Sequence, residues 1–403
     1  MRVIYLHQYF NTPAMAGGTR SYEMARRLVQ AGHDVHMITT WRERSDNTEW
    51  FITQEAGITV HWLPLAYSNH MRFAERVRIF MRFAFASARK AASLPGDVVF
   101  ATSTPLTIAI PGMVAAFCKR VPMVFEVRDL WPDVPIAMGI LRNPLAIRLA
   151  QWLERITYRR AARVVVVAPG MKEAVVRRGV AEEHVAVIPN GCDFDIFERG
   201  GEGPAIFPQS DRGVRTVLYL GTMGVANGVT YIPELAAALR RRTGFDPVQF
   251  YLMGDGQRRV EAEDCAQRLG VLGESVHFVG SLPKNEVGRW VGAADATIIT
   301  YDGPEIVYRD SVSNKFFDSI AAGKPVLANY RGFATLTAAE AGAGWILARD
   351  VDTAAAELML LIADPATFVN AGRCARALAR ARFGRDELAA QLERVLHSAL
   401  ADR

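Results

Sequence analysis

The stretch that decides the fold is MRVIYLHQYF (1–10) followed by NTPAMAGGTRSYEMARRLVQAGHDVHMITT (11–40). Its apolar start predicts a strand, and the remainder predicts a turn at Gly17 and Gly18, an amphipathic helix and a second strand. This order is typical of the βαβ unit of a parallel sheet. Ligands of such sheets bind beyond the carboxyl ends of the strands, where the glycine pair lies.

A glycine loop that precedes a helix lets backbone N–H groups approach a phosphate, so we expect Gly17 and Gly18 to contact a phosphorylated ligand. The pattern is not GxGxxG, and no acidic residue ends the second strand to hold a nicotinamide ribose. A nicotinamide-dependent oxidoreductase is therefore disfavoured. The alternative is that the two glycines only form a tight turn between strand and helix.

The same alternation of short apolar strands and helices continues along the chain. Strands are predicted at 2–7, 34–39, 58–63, 97–101, 122–127, 163–167, 185–188, 215–220, 248–253, 275–279, 295–300, 325–328 and 344–347. Strands separated by helices imply parallel sheets that are covered on both faces. The pattern is interrupted by the Gly- and Pro-rich stretch 198–213. We predict an α/β protein with doubly wound Rossmann-like domains at 1–195 and 212–384, and a last helix, 385–403, that packs back on the first domain.

Length and composition agree with two globular domains and exclude several classes of protein. The chain has 403 residues, of which 50% are hydrophobic and 22% charged. Its four cysteines are far apart and form no CxxC motif, which argues against a disulfide scaffold or a zinc site. The sequence contains no signal-peptide pattern and no run of 18 apolar residues. A cytoplasmic protein is expected.

Positive charge is concentrated in the first half, where residues 70–163 hold 15 Lys and Arg against 6 Asp and Glu. The stretch 67–92 interleaves arginines with aromatic and aliphatic residues, and Phe73, Val77 and Phe80 share a helical stripe. This pattern is typical of a helix that binds the anionic inner face of the cytoplasmic membrane, and 143–164 would extend the surface. The alternative is a core helix with a solvated basic face. Nucleic-acid binding is not expected, since no nucleic-acid motif accompanies the charge.

Several segments in the second half carry glycines and polar residues at the ends of predicted strands. They are YLMGDGQRR (251–259), VHFVGSLPKNEV (276–287), AADATIIT (293–300) and DSVSNKFFDSIAAGKPVLAN (310–329). Together with GGTRSYEMARRLVQAGHDVHMIT (17–39), they resemble the retaining glycosyltransferases of family 4 in order and spacing. The resemblance implies the GT-B fold, in which two Rossmann-like domains face each other across a cleft. It also implies that the second domain binds a nucleotide-diphosphate sugar and the first an acceptor.

The resemblance identifies two carboxylates in the second domain. Family members usually carry two glutamates separated by seven residues, and Asp310 and Asp318 have that spacing here. The family implies that the first contacts the donor sugar and that the second, on a helix, accepts hydrogen bonds from the ribose hydroxyls. Glu305 is the alternative to Asp310 for the sugar contact, because aspartate is shorter than glutamate by one methylene.

The helix that carries Asp318 begins near Ser313 and Asn314, and its free N–H groups and positive dipole end suit a diphosphate. Lys315 lies in the first turn, where the helix dipole alone favours an acid, so its charge is expected to serve the ligand. The alternative is a solvated lysine.

Two further strand ends are expected to contact the donor. Gly254 belongs to a GDG turn that places backbone N–H groups beside a ligand, although a pure turn role is the alternative. Family members hold the nucleotide base through the backbone at the positions of Ser281 and Leu282. His277, in the preceding strand, alternates with apolar neighbours and is interpreted as structural.

The chain departs from the family pattern after the first strand of the second domain. Relatives carry an arginine and, five residues later, a lysine that hold the diphosphate, whereas Thr222 and Asn227 occupy these positions here. Neutral side chains do not replace two charges. We expect Lys315, together with Arg20 after the glycine pair, to supply the positive charge.

A second departure lies in VFEVRDLWPDVP (124–135), where many relatives have a histidine near the donor sugar. Arg128 takes this position and is followed by Asp129. The variant VRDLWP resembles a subgroup that acts on lipid-linked O-antigen or exopolysaccharide precursors and includes N-acetylfucosamine transferases. Because an arginine does not act as a base, Arg128 would orient Asp129 or contact phosphate. An internal Arg128–Asp129 network is the alternative.

The sequence therefore predicts a retaining hexosyltransferase that moves a sugar from a nucleotide-diphosphate sugar, most simply a UDP-sugar, to a lipid-linked saccharide. Arg128, Asp129 and Asp310 are the candidate catalytic residues. No cofactor is expected, and no metal, because the histidines are scattered along the sequence and form no group of metal ligands. A nucleotide-sugar 2-epimerase of the same fold and a non-catalytic nucleotide-sugar-binding partner remain alternatives.

Overall fold

The computed structural model describes residues 1–15, 17–43, 47–67, 71, 73–197, 206–207 and 213–401, with the side chains of all of these except 73, 74 and 285. The chain divides into two compact units. The first comprises Met1–Thr12, Thr19–Pro189 and Arg385–Arg403, and the second comprises Pro13–Gly18 and Asn190–Gly384. Most of the predicted linker 198–213 lies outside the described residues.

The first unit is built on one eight-stranded sheet. Its strands are β1 (Arg2–Leu6), β2 (Asp34–Trp41), β3 (Phe51–Glu55), β4 (Ile58–Pro64), β5 (Val98–Thr102), β6 (Met123–Val127), β7 (Arg163–Val166) and β8 (Val185–Val187). They lie in the order β3-β4-β2-β1-β5-β6-β7-β8, and every neighbouring pair is parallel except β3 and β4. The central strands β1, β5 and β6 are almost entirely buried, as expected for a sheet covered on both faces.

The seven strands predicted for this half are present, but the sequence prediction omits the edge strand β3. It pairs antiparallel with β4 through the two-residue turn Ala56–Gly57, in which both residues have positive φ. No residue of β3 is fully buried. A continuous apolar run is therefore missing, and the strand is not recognisable by the pattern that identifies the others.

Helices cover this sheet. They are α1 (Arg20–Gln30), α2 (Phe73–Ser93), α3 (Ala109–Lys119), α4 (Asp133–Ala137), α5 (Pro144–Arg160) and α6 (Pro169–Arg177). In α1, Met24, Ala25 and Leu28 are buried and share one helical face, as the sequence pattern indicates. The helix α5 begins at Pro144 after Asn143, whose side chain accepts hydrogen bonds from the backbone N–H groups of Leu145 and Ala146.

The second unit has a six-stranded sheet in which all neighbours are parallel. Its strands are β9 (Arg215–Leu220), β10 (Val248–Met253), β11 (Val276–Val279), β12 (Ala296–Ile299), β13 (Val326–Ala328) and β14 (Gly344–Ile346). They lie in the order β11-β10-β9-β12-β13-β14. The strand order reverses beside β9, the arrangement that creates a ligand-binding crevice at the carboxyl edge of a doubly wound sheet.

Nine helices accompany these strands among the described residues. They are α7 (Phe194–Phe197), α8 (Tyr231–Thr243), α9 (Arg259–Arg268), α10 (Lys284–Ala293), α11 (Glu305–Tyr308), α12 (Asn314–Ala321), α13 (Phe333–Glu340), α14 (Val351–Ile362) and α15 (Pro365–Arg382). One face of the sheet packs against α8 and α14 in a core that includes Val217, Phe250, Leu235 and Leu358. This core holds the strands in place, and the loops lie at the carboxyl edge of the sheet.

The last helix, α16 (Arg385–Ala401), belongs to the first unit, although it follows the whole second unit in the chain. It packs against α1, β5 and β6, and its Leu388, Leu392 and Leu396 are buried at four-residue intervals. Polar contacts flank this stripe: Asp386 accepts a hydrogen bond of 2.6 Å from Arg27, and Glu393 lies 2.8 Å from Nε2 of His33. The buried leucines hold the carboxyl terminus on the first unit.

Membrane-spanning potential is confined to one pair of helices. Among the residues that the structure describes, no single helix is both long and apolar enough to cross a membrane, while the bent pair α14 and α15, at 92° to each other, meets the criteria of length and composition.

We predict that Leu396→Ala destabilises the first unit by about 2–5 kcal/mol, because it leaves a cavity at a side chain with no exposed surface. Urea unfolding followed by circular dichroism measures the loss. Arg394→Ala, which removes an exposed ion pair with Glu387 on the same helix, changes stability by less than about 0.5 kcal/mol. Equal effects of the two substitutions would contradict the packing of α16 on this unit.

Candidate functional site

A cavity of about 450 Å³ lies at the carboxyl edge of the second unit's sheet. Its lining comes from the segments that follow β9, β10 and β11 and from the start of α12. The residues lie within 220–222, 253–255, 281–287 and 313–318, together with Gly17, Gly18 and Asn227. This is the position at which a doubly wound sheet binds its ligand, so the cavity is the candidate functional site.

The first turn of α12 faces this cavity. The Ser313 side chain caps the helix by accepting a hydrogen bond from the backbone N–H of Lys315 at 3.3 Å. Ser313, Asn314, Lys315 and Asp318 all line the cavity, as the sequence analysis expects of them. The positive end of the helix dipole makes this turn a suitable place for an anion.

Lys315 is the central cation of the site. Its side chain is only 8% exposed, and Nζ lies 2.5 Å from the hydroxyl of Tyr219 and 3.9 Å from the centre of the same ring. Within the described part of the chain, no carboxylate forms an ion pair with it. Burial lowers the pKa of Lys315 to about 7. Because burial disfavours the charged form of Lys315, an anionic ligand bound beside it would raise this pKa and keep the ammonium group protonated.

Glycines make room for this lysine. Gly221 has φ of +102°, and a Cβ there would lie 3.0 Å from Cε of Lys315. Gly254 has φ of +134°, and its Cβ would lie 2.1 Å from the carbonyl oxygen of Gly221. The turns after β9 and β10 pack against each other and against Lys315 only because both positions lack a side chain.

The glycine pair near the amino terminus reaches the same cavity. Pro13–Gly18 clusters with the second unit, and a Cβ at Gly18 would lie 2.4 Å from Nδ2 of Asn314. Gly17 has φ of +124°, a conformation that favours glycine. Both residues line the cavity, so the loop brings backbone rather than side chains to the first turn of α12.

A second buried lysine lies in the cavity wall. Lys284 is 6% exposed, forms an ion pair with Asp193, and places Nζ 3.7 Å from Oδ1 of Asp318. Lys284 and Asp193 were missed in the sequence analysis. Lys284 begins α10, and a lysine in the first turn of a helix is the same signal that identifies Lys315. Asp193 follows the predicted strands and carries no comparable signal.

The predicted base-binding residues and the Gly254 turn also line the cavity. Ser281 and Leu282 follow β11, and Asp255, which the sequence analysis did not single out, follows Gly254. Thr222 and Asn227, which stand where relatives carry cations, line the cavity as well. His277 makes a 2.7 Å contact with Gln249 and stacks on Tyr251, as expected of a structural histidine.

Arg20 does not agree with its predicted role as a diphosphate ligand. Its guanidinium has no exposed surface; it donates to Glu126 at 2.7 and 3.1 Å and to the carbonyl of Ile188 at 2.8 Å. Although burial opposes ionisation, the charge of Arg20 holds the pKa of Glu126 below its usual value. The sequence shows the helix position of Arg20 but not its buried acidic partner on β6, so the pair was missed.

Arg128 and Asp129 lie in the first unit, at the end of β6. The backbone N–H of Arg128 donates to the Ser103 hydroxyl at 3.0 Å, and its guanidinium lies 3.3 Å from Nε2 of His7. His7 is almost fully buried, and burial together with the Arg128 charge keeps the pKa of His7 well below its usual value. Asp129 is exposed. A neutral histidine, a serine hydroxyl and a guanidinium thus meet at one strand edge.

Asp310 lies outside the cavity lining. It is 6% exposed and accepts hydrogen bonds from the neighbouring Arg309 at 3.0 and 3.1 Å. Its predicted contact with a donor sugar has no support from this arrangement, because the carboxylate is paired with a cation next to it in sequence. Glu305, the alternative, is exposed at the start of α11 and is also outside the lining.

The described residues include one group of side chains suited to a metal ion, and it lies apart from the cavity. His33, Glu393 and His397 place their ligand atoms within 4.8 Å of one another in the first unit. None of them lines the cavity of the second unit.

We predict that Arg20→Met lowers the stability of the first unit by about 3–5 kcal/mol, because it leaves the Glu126 carboxylate buried without its partner. Chemical unfolding measures the loss. Isothermal titration with UDP, the nucleotide expected from the sequence, tests whether Arg20 also contributes to nucleotide binding, and we expect no difference between the folded variant and the unsubstituted protein. Arg26→Met, which removes a more exposed partner of Glu23 on the same helix, is the control. A selective loss of nucleotide binding in Arg20→Met would restore the original interpretation of this residue.

Comparisons with known proteins agree with this architecture. The glycosyl transferase 4-like domain matches residues 16–191, and the glycosyl transferases group 1 domain matches residues 214–364. WbjE of Pseudomonas aeruginosa, which is named as a glycosyltransferase, is 25% identical over 291 residues and 69% of each chain. WcaI of Escherichia coli K12, named as a glycosyl transferase of colanic acid biosynthesis, is 24% identical over 280 residues, 64% of this chain and 67% of its own.

Solved structures share the fold over the whole chain. Sucrose-phosphate synthase from Thermosynechococcus elongatus superposes with a TM-score of 0.75 at 18% identity and covers 100% of both chains. Anabaena HepE, in complex with UDP and glucose, superposes with a TM-score of 0.69 at 16% identity over 99% of this chain and 100% of its own. These are GT-B glycosyltransferases, and the predicted fold class is confirmed. Two parallel-sheet α/β units, both domain matches and the cavity beside α12 agree: the chain belongs to glycosyltransferase family 4 and is a transferase.

Proposed function

We propose that the protein transfers a hexosyl residue from a UDP-sugar to a lipid-linked saccharide in the synthesis of a bacterial surface polysaccharide, with retention at the anomeric carbon. The observation that carries the proposal is Lys315, buried at the amino terminus of α12 in a cavity lined by backbone turns. The name of WcaI, which places it in colanic acid biosynthesis, supports the polysaccharide, and the HepE complex with UDP and glucose supports the donor.

The donor would fill the cavity of the second unit. Its diphosphate would lie against Lys315 and the first N–H groups of α12, where positive charge is already present. Asp318, one turn further along α12, would accept hydrogen bonds from the ribose hydroxyls. The nearby ammonium group of Lys284 would stabilise the negative charge of this carboxylate. The base would contact the backbone at Ser281 and Leu282.

In the proposed reaction the bond between the anomeric carbon and the diphosphate oxygen breaks as the acceptor hydroxyl attacks from the same face. The acceptor proton passes to the leaving diphosphate oxygen, so no protein base is consumed. Lys315 and the α12 dipole would neutralise the charge that develops on the leaving group. We propose that these groups perform the task without a metal ion.

The acceptor would bind to the first unit at the carboxyl edge of its sheet. Arg128 is held there by His7 and Ser103, and Asp129 is exposed beside it. A guanidinium and exposed polar groups suit a saccharide that carries phosphate. In this proposal Arg128 binds the acceptor or the donor sugar and does not act as a base, because guanidinium stays protonated.

The transfer reaction is tested by incubating the protein with UDP-, GDP-, ADP- and TDP-sugars and a membrane extract that contains lipid-linked saccharides. We expect sugar transfer from a UDP-sugar only, with the anomeric configuration retained by NMR, and no requirement for added metal after EDTA treatment. Asp318→Ala abolishes transfer, whereas Glu340→Ala, an exposed carboxylate at the end of α13, does not. Conversion of the UDP-sugar without an acceptor would indicate an epimerase, and activity that survives Asp318→Ala would exclude this site.

We predict that the affinity for UDP-glucose falls as the pH rises above about 7, the pKa of Lys315 in the free protein. A bound diphosphate raises this pKa, so binding takes up a proton above pH 7 and loses up to about tenfold in affinity per pH unit. Below pH 7 the lysine is protonated in both states, and this contribution to affinity is fully present.

Isothermal titration between pH 6 and pH 8.5 measures the effect. Lys315→Met weakens binding by about 10- to 150-fold at pH 6, the loss expected for a hydrogen bond to a charged group, and flattens the profile. Lys172→Met, which removes a partly exposed lysine of the first unit paired with Glu182, leaves the profile unchanged. A pH-independent affinity of the wild-type protein would exclude Lys315 as the diphosphate ligand.

Association with an anionic membrane is part of the proposal, and the surface that supports it includes more than α2. Within α2, Phe80 packs against the rings of Tyr9 and Tyr67, and Phe83 has no exposed surface. The predicted stripe is therefore partly internal. Ser68–His70 and Arg72 of the predicted stretch, and the side chain of Phe73, lie outside the described residues.

The helix α5 presents the larger apolar surface. Leu145, Leu149 and Trp152 are 75%, 63% and 55% exposed and lie at i, i+4 and i+7 on one face. Arg148 and Arg155 are exposed beside this stripe. On α3, which packs against both α2 and α5, Phe117 is 77% exposed. An apolar stripe flanked by cations is the pattern that binds an anionic lipid surface.

We predict that Leu149→Ser/Trp152→Ser reduces binding to phosphatidylglycerol-containing vesicles at least about tenfold, since each apolar side chain contributes about 1.5–3 kcal/mol when buried. Vesicle sedimentation measures the bound fraction. Val260→Ser/Leu360→Ser removes two equally exposed apolar side chains from the second unit and has no effect. Unchanged sedimentation of the α5 variant would exclude this helix as the membrane contact.

A further inference from the structure

The second unit has a concavity of about 730 Å³ at the amino edge of its sheet, the edge opposite to the donor cavity. It is formed where β9, β12 and β13 begin and where α15 crosses beneath them. Because β9 has six residues, the two edges lie roughly 17–20 Å apart. The two depressions share no lining residue.

This concavity has a strong excess of positive charge. Its lining contains a single acid, Asp295, among the described residues. The cations of the lining are Arg215, Lys324, Arg373, Arg376 and Arg380. Three of them come from α15 at i, i+3 and i+7, so they project from one helical face. The spacing places the three arginines in the same lining as Arg215, at the start of β9, and Lys324, just before β13.

The single acid is already engaged. Asp295 accepts a hydrogen bond of 2.8 Å from the backbone N–H of Thr216 and one of 3.2 Å from Nη1 of Arg215. It therefore neutralises at most one of the four cations Arg215, Lys324, Arg373 and Arg376. Nε of Arg215 is buried, and no acceptor lies within hydrogen-bond distance of it among the described residues. Buried donors without a partner are rare and indicate a missing acceptor.

The carboxyl end of a helix offsets part of the positive charge. The carbonyl groups at the carboxyl end of α12 face this edge, and Arg376 donates to the carbonyl of Ala322 at 3.2 Å. Lys324 follows in the same turn, and its pKa is lowered by burial and further by Arg376, although Asp295 opposes this. Positive charge thus remains in excess after the capping contact.

Two glycines bring the cations together. A Cβ at Gly372 would lie 2.6 Å from the carbonyl oxygen of Gly323, and a Cβ at Gly323 would lie 2.9 Å from Nε of Arg376. Gly323 also has φ of +68°. The close approach of α15 to the turn before β13 therefore requires both glycines, and it places Arg373, Arg376 and Lys324 around the same depression.

We propose that this concavity binds a small soluble anion that carries two or more phosphate groups. Arginine forks and a lysine ammonium are the groups that bind phosphate in proteins, and such an anion would accept from the buried Nε of Arg215 while neutralising the excess charge. The site is separate from the proposed donor cavity and does not depend on the proposed reaction. An anion bound here contacts the start of β9, the strand whose carboxyl end contributes to the donor cavity.

The test is isothermal titration of the full chain with inorganic tripolyphosphate. We expect saturable binding that weakens at least tenfold in Arg373→Glu/Arg380→Glu, two exposed positions on α15. Arg241→Glu, an exposed arginine of α8 outside the concavity, leaves the affinity within twofold. The affinity for UDP-glucose stays within twofold in both variants, which shows that they are folded.

Tripolyphosphate resembles a nucleotide diphosphate, so the titration is repeated with Lys315→Met. Retained tripolyphosphate binding in this variant supports a second site. Binding that Lys315→Met abolishes and Arg373→Glu/Arg380→Glu leaves unchanged would assign the anion to the donor cavity and overturn the proposal, as would the absence of saturable binding. Failure of the donor site is distinguishable, because it affects UDP-glucose and leaves tripolyphosphate binding intact.

Discussion

The candidate site of the second unit depends on the burial of the Lys315 ammonium group against the ring of Tyr219. Lys315 lies among the loops at the carboxyl edge of the sheet, where removal of a charge from water is costly. The Tyr219 hydroxyl and ring offset part of this cost, and the backbone of Gly221 leaves the space that the side chain requires. Because Tyr219 is also part of the sheet core, the position of the cation is fixed by the same packing that stabilises the strands.

The sequence predicted the fold well because a parallel sheet buries its strands on both faces. Strands such as β5 and β7 carry continuous apolar runs, at Val98–Ala101 and Val164–Val166. The same reasoning could not find Phe51–Glu55, whose residues are half-exposed at the edge of the sheet. The pairing of an edge strand such as β3 depends on the neighbouring strand and on the turn that joins the two. Neither of these produces an apolar run in the sequence of the edge strand.

The residues of the candidate site were predictable from the sequence where local backbone geometry places them. They were not predictable where the position of a side chain depends on a partner that is distant in sequence. Gly254 and the start of α12 follow from strand ends and helix starts, which are local in sequence. The partner of Arg20 is Glu126, 106 residues away, and that of Lys284 is Asp193, 91 residues away. A sequence shows that each residue is charged, but only the folded chain shows whether the charge faces a ligand or another side chain.

The return of α16 to the first unit makes the second unit an insertion between two parts of the first. During synthesis the ribosome releases Leu388, Leu392 and Leu396 after every residue of the second unit. The surface of α1, β5 and β6 that α16 covers is therefore without this partner while about half of the chain is translated. Apolar surface that stays uncovered during synthesis is the kind of surface that chaperones protect, and in this fold it is covered only once α16 has been made.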